Sequence, residues 1–220
     1  MDKKRGPIRP NTSLPNRHTG YIACSGYGKS QALKQNPDIP KRGARVMLWD
    51  PDEDHNAIHF DDWGKYVKAV VAGMKSRRGF RLAWAGDVSV SMFLKWCGLA
   101  WECLDGERSM YLIIEELADV QSSPGKASDE FGVLFRRARK YGGIIHWCSQ
   151  RSEEVSKTAY SQTNNYYIGY PNGTCPESKV KEIARLMSCK PDDLYNLKPL
   201  QFRRKIGNKT DTIQLKYKKI

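Results

Sequence analysis

Short apolar runs alternate with longer amphipathic segments along most of this chain. Within the runs the apolar residues are continuous, which is typical of parallel strands covered on both faces. The pattern predicts strands at Tyr21–Cys24, Arg45–Trp49, Phe80–Ala85, Met110–Ile114, Gly143–Cys148 and Tyr166–Gly169.

Segments with helical spacing separate these strands. They predict helices at Gln31–Gln35, Gly64–Met74, Ser91–Leu104, Asp129–Tyr141 and Glu177–Met187. Leu200–Lys205 and Thr212–Tyr217 flank the turn pair Gly207-Asn208, and we expect them to form a closing hairpin. Strands that alternate with helices predict an α/β fold with a mostly parallel central sheet, helices on both faces and a C-terminal hairpin.

Charge is distributed unevenly along the chain. The 220 residues include 37 Lys and Arg against 24 Asp and Glu, a net charge of +13. Residues 1–19 lack periodicity and predict a basic N-terminal arm, and residues 20–220 predict one domain with a basic C-terminal segment. The excess favours a polyanionic partner, either nucleic acid or an anionic membrane surface, although it also serves solubility.

Cysteine and histidine usage excludes several classes of protein. The 6 cysteines show no C-x-x-C spacing, so we expect free thiols in a reducing compartment rather than a disulfide scaffold or a zinc site. The 4 histidines form no recognisable cluster, and we interpret them as structural or solvated. No secretory signal is visible, and the apolar stretch 88–104 is interrupted by Lys95 and Glu102, so no transmembrane segment is predicted.

Residues 23–30, Ala-Cys-Ser-Gly-Tyr-Gly-Lys-Ser, follow the first strand and precede a helix. They fit the phosphate-binding loop pattern, with Ala23 in place of the usual first glycine. Lys29 can reach the β- and γ-phosphates, and the Ser30 hydroxyl can ligate Mg²⁺. The sequence therefore predicts an ATP and Mg²⁺ site that includes Ser25, Gly26, Tyr27, Gly28, Lys29, Ser30 and Gln31.

Acidic and amide side chains follow two other predicted strands. Glu115 and Glu116 follow the apolar run 112–114, where the first acid would hold Mg²⁺ and the second would polarise the attacking water. Asp is commoner at the first of these positions. Gln150 follows the fifth strand and is a candidate for positioning water or sensing phosphate, and Asp50 is a weaker candidate for orienting the site.

A basic segment, residues 135–142, precedes the fifth strand. It contains Arg136, Arg137, Arg139 and Lys140. The segment is either a solvated helix face or the source of an arginine finger that enters the ATP site of a neighbouring subunit.

The order of these features resembles the FtsK–HerA superfamily of P-loop DNA-pumping ATPases. The resemblance covers roughly residues 20–170 and rests on the phosphate loop, the strand that ends at Asp50, the Glu115-Glu116 strand, and the segment from Arg136 to Arg151. It implies a RecA-like three-layer fold, a metal role for Glu115, a water-activating role for Glu116 and a sensor role for Gln150. Arg139 best matches the family's finger position and Arg136 is second.

The short chain without membrane helices looks most like the genome-packaging ATPases of tailless icosahedral, membrane-containing double-stranded DNA viruses. This resemblance implies a ring, expected to be a hexamer, that moves double-stranded DNA into a preformed capsid. It also implies capsid or portal-vertex partners, with small viral membrane proteins as a further option, and a location at the virion packaging vertex and in the host cytoplasm. A plasmid, conjugative or filamentous-phage DNA pump, a small P-loop kinase, and a non-hydrolysing capsid-vertex binding protein are the alternatives.

Overall fold

The computed structural model describes residues 7, 9–76, 78–121, 124–127 and 129–219. The strands are β1 (Thr19–Ile22), β2 (Arg45–Trp49), β3 (Ile58–Phe60), β4 (Phe80–Trp84), β5 (Met110–Ile114), β6 (Gly143–Ser149), β7 (Asn165–Ile168), β8 (Gln201–Ile206) and β9 (Lys209–Gln214). Among the described residues they form one sheet, in the order β3-β4-β2-β5-β6-β1-β7-β8-β9. Strands β1 to β7 pair in parallel, and β8 and β9 extend the sheet in antiparallel fashion.

The helices are α1 (Lys29–Gln35), α2 (Trp63–Lys75), α3 (Val90–Glu102), α4 (Glu130–Arg137), α5 (Lys157–Gln162), α6 (Glu177–Leu186) and α7 (Pro191–Tyr195). They cover the two faces of the sheet unequally. Helix α1 packs on one face through Ala32 and Leu33, against Val46, Leu48 and Ile113 of the central strands. The larger core lies on the other face, where α2 to α7 contribute buried side chains.

The predicted α/β class, with a mostly parallel sheet and helices on both faces, is confirmed. Continuous apolar runs such as Met110–Ile114 are buried throughout, as strands between two helical layers must be. None of the helices in the described part of the chain is long and apolar enough to cross a membrane.

Several element boundaries differ from the prediction. The first strand begins at Thr19, and the predicted helix 129–141 ends at Arg137 and continues as a 3₁₀ turn to Tyr141. Strand β3 and helices α5 and α7 were missed because each has only three to six residues and lacks a clear apolar period.

The second strand of the hairpin is also placed differently. Strand β9 spans Lys209–Gln214, whereas the prediction began at Thr212 and reached Tyr217. Residues 215–219 lie outside the sheet and run against α1, where Gln31 and Gln35 bind their backbone. The side-chain pattern of this segment gives no sign of that contact.

The described part of the N-terminal arm lies against the domain. Arg17 pairs with Asp38 at 2.8 Å, Arg9 pairs with Glu107, and the Asn11 amide donates to the Lys140 carbonyl at 2.6 Å. Residues 1–6 and 8 of the predicted arm lie outside the described residues. Two of the arm's cations are therefore compensated by acids of the same chain.

Candidate active site

The loop between β1 and α1 adopts backbone conformations that favour glycine. Gly26 has φ +79° and Gly28 has φ +90°. A Cβ atom at Gly28 would lie 2.4 Å from Cδ2 of Leu200, so the close approach of this loop to the loop before β8 also requires glycine. Helix α1 begins at the next residue, Lys29, which places the lysine at the carboxyl edge of the central strand.

Lys29 is buried between two carboxylates. Its ammonium group contacts Glu116 and lies 3.7 Å from Oε2 of Glu115. Burial by itself would lower the pKa of Lys29, but the neighbouring Cys148, Glu115 and Glu116 raise it overall. Lys29 is therefore a permanent cation at the centre of the site.

Glu116 follows strand β5 and bonds to Gln150, which follows the neighbouring strand β6. Its φ of +43° is in the left-handed region, a strained conformation that clusters at functional sites. Gln150 donates to Glu116 twice, from its backbone amide to Oε2 at 3.2 Å and from Nε2 to Oε1 at 3.0 Å. Because β6 pairs in parallel with both β5 and β1, the residues that follow these strands, Glu116, Gln150 and Lys29, meet at one edge of the sheet.

Glu115 is buried and has a histidine partner. Nε2 of His55 lies 2.7 Å from Oε1 of Glu115. Burial would raise the pKa of Glu115, but the His55 hydrogen bond and the charge of Lys29 lower it overall. Glu115 is thus held as a carboxylate.

A second histidine–carboxylate pair lies beside the first. Nε2 of His59 lies 2.9 Å from Asp50, which also accepts the backbone amides of Asp54 and His55 at 3.0 Å each. Asp50 therefore fixes the loop that presents His55 to Glu115. Sequence reasoning missed His55, because 60 residues separate it from Glu115 and only the spatial order of β2 and β5 brings them together.

A cavity of about 530 Å³ opens above these groups. Of the predicted nucleotide-binding residues, the following line it: Ser25, Gly26, Gly28, Lys29, Ser30 and Gln31. Tyr27 does not, because its ring stacks on Tyr170 at 4.9 Å and its carbonyl accepts the Leu200 amide. Tyr27 therefore supports the loop.

Oxygen donors suited to Mg²⁺ line the same cavity. The Ser30 hydroxyl and the Glu115 carboxylate are both present, and Mg²⁺ is commonly held by one or two such groups together with water and phosphate oxygens. Among the described residues no group of three or more His, Cys, Asp or Glu side chains could hold a metal ion by itself. The donor set fits a metal that binds together with a nucleotide.

The two candidate finger arginines lie away from this cavity. Arg139 donates to the carbonyls of Thr12 and Leu14, and Arg136 donates to that of Ala127. Both precede β6, whereas Gln150 follows it, and a strand of 7 residues spans about 23 Å. Neither arginine is placed to act in the site of its own chain.

A glycine loop after a central strand, followed by a helix-borne lysine and opposed by carboxylates from a neighbouring strand, is the site of a P-loop NTPase. The fold and site together place the chain among the P-loop NTPases, the broader class to which the sequence resemblance points. The chain is 30% identical over 206 residues to protein P9 of Pseudoalteromonas phage PM2, and the alignment covers 91% of each chain. It therefore belongs to the family of protein P9. No protein-family model matches it.

Solved structures share the fold at low sequence identity. The genome packaging NTPase B204 of Sulfolobus turreted icosahedral virus 2, in complex with AMPPCP, matches with a TM-score of 0.74 and 12% identity, over 93% of this chain and 100% of that one. VirB4 of Thermoanaerobacter pseudethanolicus matches with a TM-score of 0.63 and 12% identity, over 100% and 98% of the two chains. At these identities the matches establish the fold.

Proposed function

We propose that the chain is an ATPase that drives double-stranded viral DNA into a preformed capsid. The observation that carries this proposal is the convergence of Lys29, Glu116 and Gln150 at the wall of the cavity. The origin of protein P9 in a phage and the likeness to a viral genome packaging NTPase support the viral setting.

The contacts of Lys29 suggest how ATP binding prepares hydrolysis. Lys29 is paired with Glu116, and an incoming γ-phosphate would compete for the same ammonium group. Glu116 then becomes free to accept a proton from the attacking water, while Gln150, already within 3.0 Å of it, holds that water or the phosphate in place. Ser30 and Glu115 would hold Mg²⁺, which neutralises phosphate charge when bound.

The position of the arginines supports a ring. Arg139 or Arg136 would serve the site of a neighbouring subunit, since about 23 Å of strand separates them from their own. A ring whose sites lie between subunits ties hydrolysis to movement of one subunit against the next. We expect a hexamer with DNA as its substrate.

The remaining assignments concern partners and location. The excess positive charge at the two ends of the chain supports contact with DNA phosphates or docking at the packaging vertex. Capsid or portal-vertex proteins, and small viral membrane proteins, are the expected partners. The protein would then act at the virion vertex and in the host cytoplasm.

A conjugative DNA pump is the second candidate, and the likeness in fold to the bacterial conjugative coupling protein TrwB, with a TM-score of 0.63 at 11% identity, favours it. Both candidates are ATPases that move DNA, so double-stranded DNA should stimulate ATP hydrolysis. Lys29→Ala serves as the inactive control. Turnover that needs a small acceptor and ignores DNA would instead indicate a kinase. No turnover under any condition would indicate a binding protein that keeps the loop only as a scaffold.

A further inference from the structure

Residues 215–219 are anchored to the helix that follows the phosphate loop. Gln31 binds the backbone of Lys218 in both directions, from Nε2 to the carbonyl at 2.9 Å and from the Lys218 amide to Oε1 at 3.0 Å. Gln35 donates to the Lys216 carbonyl at 2.9 Å, and the Leu215 amide donates to the Leu200 carbonyl at 2.8 Å. The backbone on both sides of Tyr217 is thus fixed.

Tyr217 lines the same cavity as the phosphate loop, yet the residue is 74% exposed. A large aromatic residue that is held in place by its neighbours but buries little of its own ring is not explained by packing within the chain. Of the described residues that line the cavity, Tyr217 alone is aromatic. The nearby Tyr27 ring is already covered by Tyr170.

The surroundings of Tyr217 separate the cavity into two chemical regions. Lys29 and Ser30 form its charged end, where phosphates are expected. Pro199 and Leu200 add apolar surface close to the Tyr217 side, and Leu200 is held at φ +63° by its contacts with the loop. Gln31, whose side chain holds the Lys218 backbone next to Tyr217, directly follows Ser30, so the segment that carries Tyr217 is tied to the first turn of the helix at the phosphate end.

We propose that Tyr217 stacks on the purine base of the bound nucleoside triphosphate, and that residues 215–219 form the base side of the site. This inference rests on the proposed function, since it requires that the cavity bind ATP. Every base has a π-face, so Tyr217 contributes affinity and does not by itself discriminate ATP from GTP. The C-terminal segment thereby becomes part of the enzyme's substrate site.

Binding of ATP and of inorganic tripolyphosphate to the full chain separates the base contact from the phosphate contact. Both dissociation constants are measured in Mg²⁺ buffer for the wild type, Tyr217→Ala and Tyr217→Phe. Tyr217→Ala should weaken ATP about tenfold, the size of one lost stacking contact, and leave tripolyphosphate unchanged. Tyr217→Phe keeps the ring and should match the wild type. Because the side chain is exposed, both variants should keep the wild-type unfolding temperature.

Three outcomes overturn the inference. Unchanged ATP affinity in Tyr217→Ala would show that the ring touches no base. Equal weakening of ATP and tripolyphosphate would show that the segment acts on the phosphate end. A wild type that binds neither ligand would overturn the proposed function as well, whereas the first two outcomes leave it intact.

Discussion

The Lys29 ammonium group contacts the Glu116 carboxylate, so the cation expected to bind phosphate is paired with the residue expected to activate water. The structure thereby holds two functional groups in one partly buried ion pair, for which an incoming nucleotide would compete. Glu116 also accepts two hydrogen bonds from Gln150. One cation and two donors together satisfy the hydrogen-bonding capacity of the carboxylate well.

Replacing Glu116 by Gln should separate binding from hydrolysis. The amide cannot accept the proton of the attacking water, so the rate of phosphate release should fall by about 10²- to 10⁴-fold. ATP affinity should stay equal or increase, because the charge that competes with phosphate for Lys29 is gone. Wild-type turnover in this variant would contradict the role of Glu116. Glu177→Gln, an exposed site on α6, serves as the matched control.

His55 should act as a positioning residue through Glu115. His55→Ala removes the 2.7 Å partner that keeps the pKa of Glu115 low, so the acidic limb of the pH–rate profile should move to higher pH. The Mg²⁺ concentration that gives half-maximal activity should rise by about 10- to 100-fold, the usual cost of a lost supporting contact. His55→Gln can still donate a hydrogen bond to Glu115. It should therefore shift the acidic limb and the Mg²⁺ dependence part of the way back to the wild type. A profile and Mg²⁺ dependence identical to the wild type would contradict this role.

The finger prediction can be tested by mixing inactive chains. Glu116→Gln chains keep the arginine, and Arg139→Ala chains keep a complete site, so adjacent copies of the two would form active interfaces. Random mixing in equal amounts should restore about a quarter of wild-type hydrolysis if the finger acts between subunits of a ring. The same experiment with Arg136→Ala decides between the two arginines, and no recovery with either would contradict an intersubunit finger.

Two buried histidines predict loss of stability in acid. Burial is the main cause that lowers the pKa of His18 and of His146 to about 3. Nδ1 of His18 accepts a hydrogen bond from the Ile145 amide, and Nδ1 of His146 lies 3.0 Å from the Tyr21 hydroxyl. The same hydroxyl accepts from Nδ2 of Asn36 at 2.5 Å, which leaves its own proton available to His146. Folding therefore requires the neutral imidazole.

In the unfolded chain these histidines are solvated and protonate near the ordinary histidine pKa of 6.5. The stability that these groups provide is complete above that pH and is lost as the pH falls towards 3. As the pH falls from about 6 to about 4, each histidine should lower the free energy of unfolding by about 1.4 kcal/mol for every pH unit. The free energy of unfolding of His146→Gln, measured by urea unfolding at several pH values, should change less steeply with pH, by about 1.4 kcal/mol per pH unit. A pH dependence equal to that of the wild type would contradict the assignment.

The sequence predicted the site where local order determines position. The phosphate loop, the pair Glu115-Glu116 and Gln150 each follow a strand directly, and parallel strands end at one edge of a sheet. The fold class alone was therefore enough to predict that these residues lie close together.

The rest of the site depends on contacts between residues that are distant in sequence. His55 reaches Glu115 across 60 positions, and Gln31 reaches Lys218 across 187. Neither pair has a spacing or periodic signal, and the apolar pattern placed Tyr217 in a strand although the structure places it at the wall of the cavity that Lys29 lines. The chain ends also look alike in charge, yet part of the C-terminal charge lies close to α1 rather than on a free tail.

Movement along DNA is the central claim, and displacement of a labelled third strand from a DNA triplex measures it most directly. The wild-type protein with ATP and Mg²⁺ should release the third strand, whereas Lys29→Ala and Glu116→Gln should not. Displacement that depends on ATP hydrolysis is the predicted result. ATP hydrolysis by the wild type without any release of the third strand would contradict the assignment as a DNA-translocating ATPase.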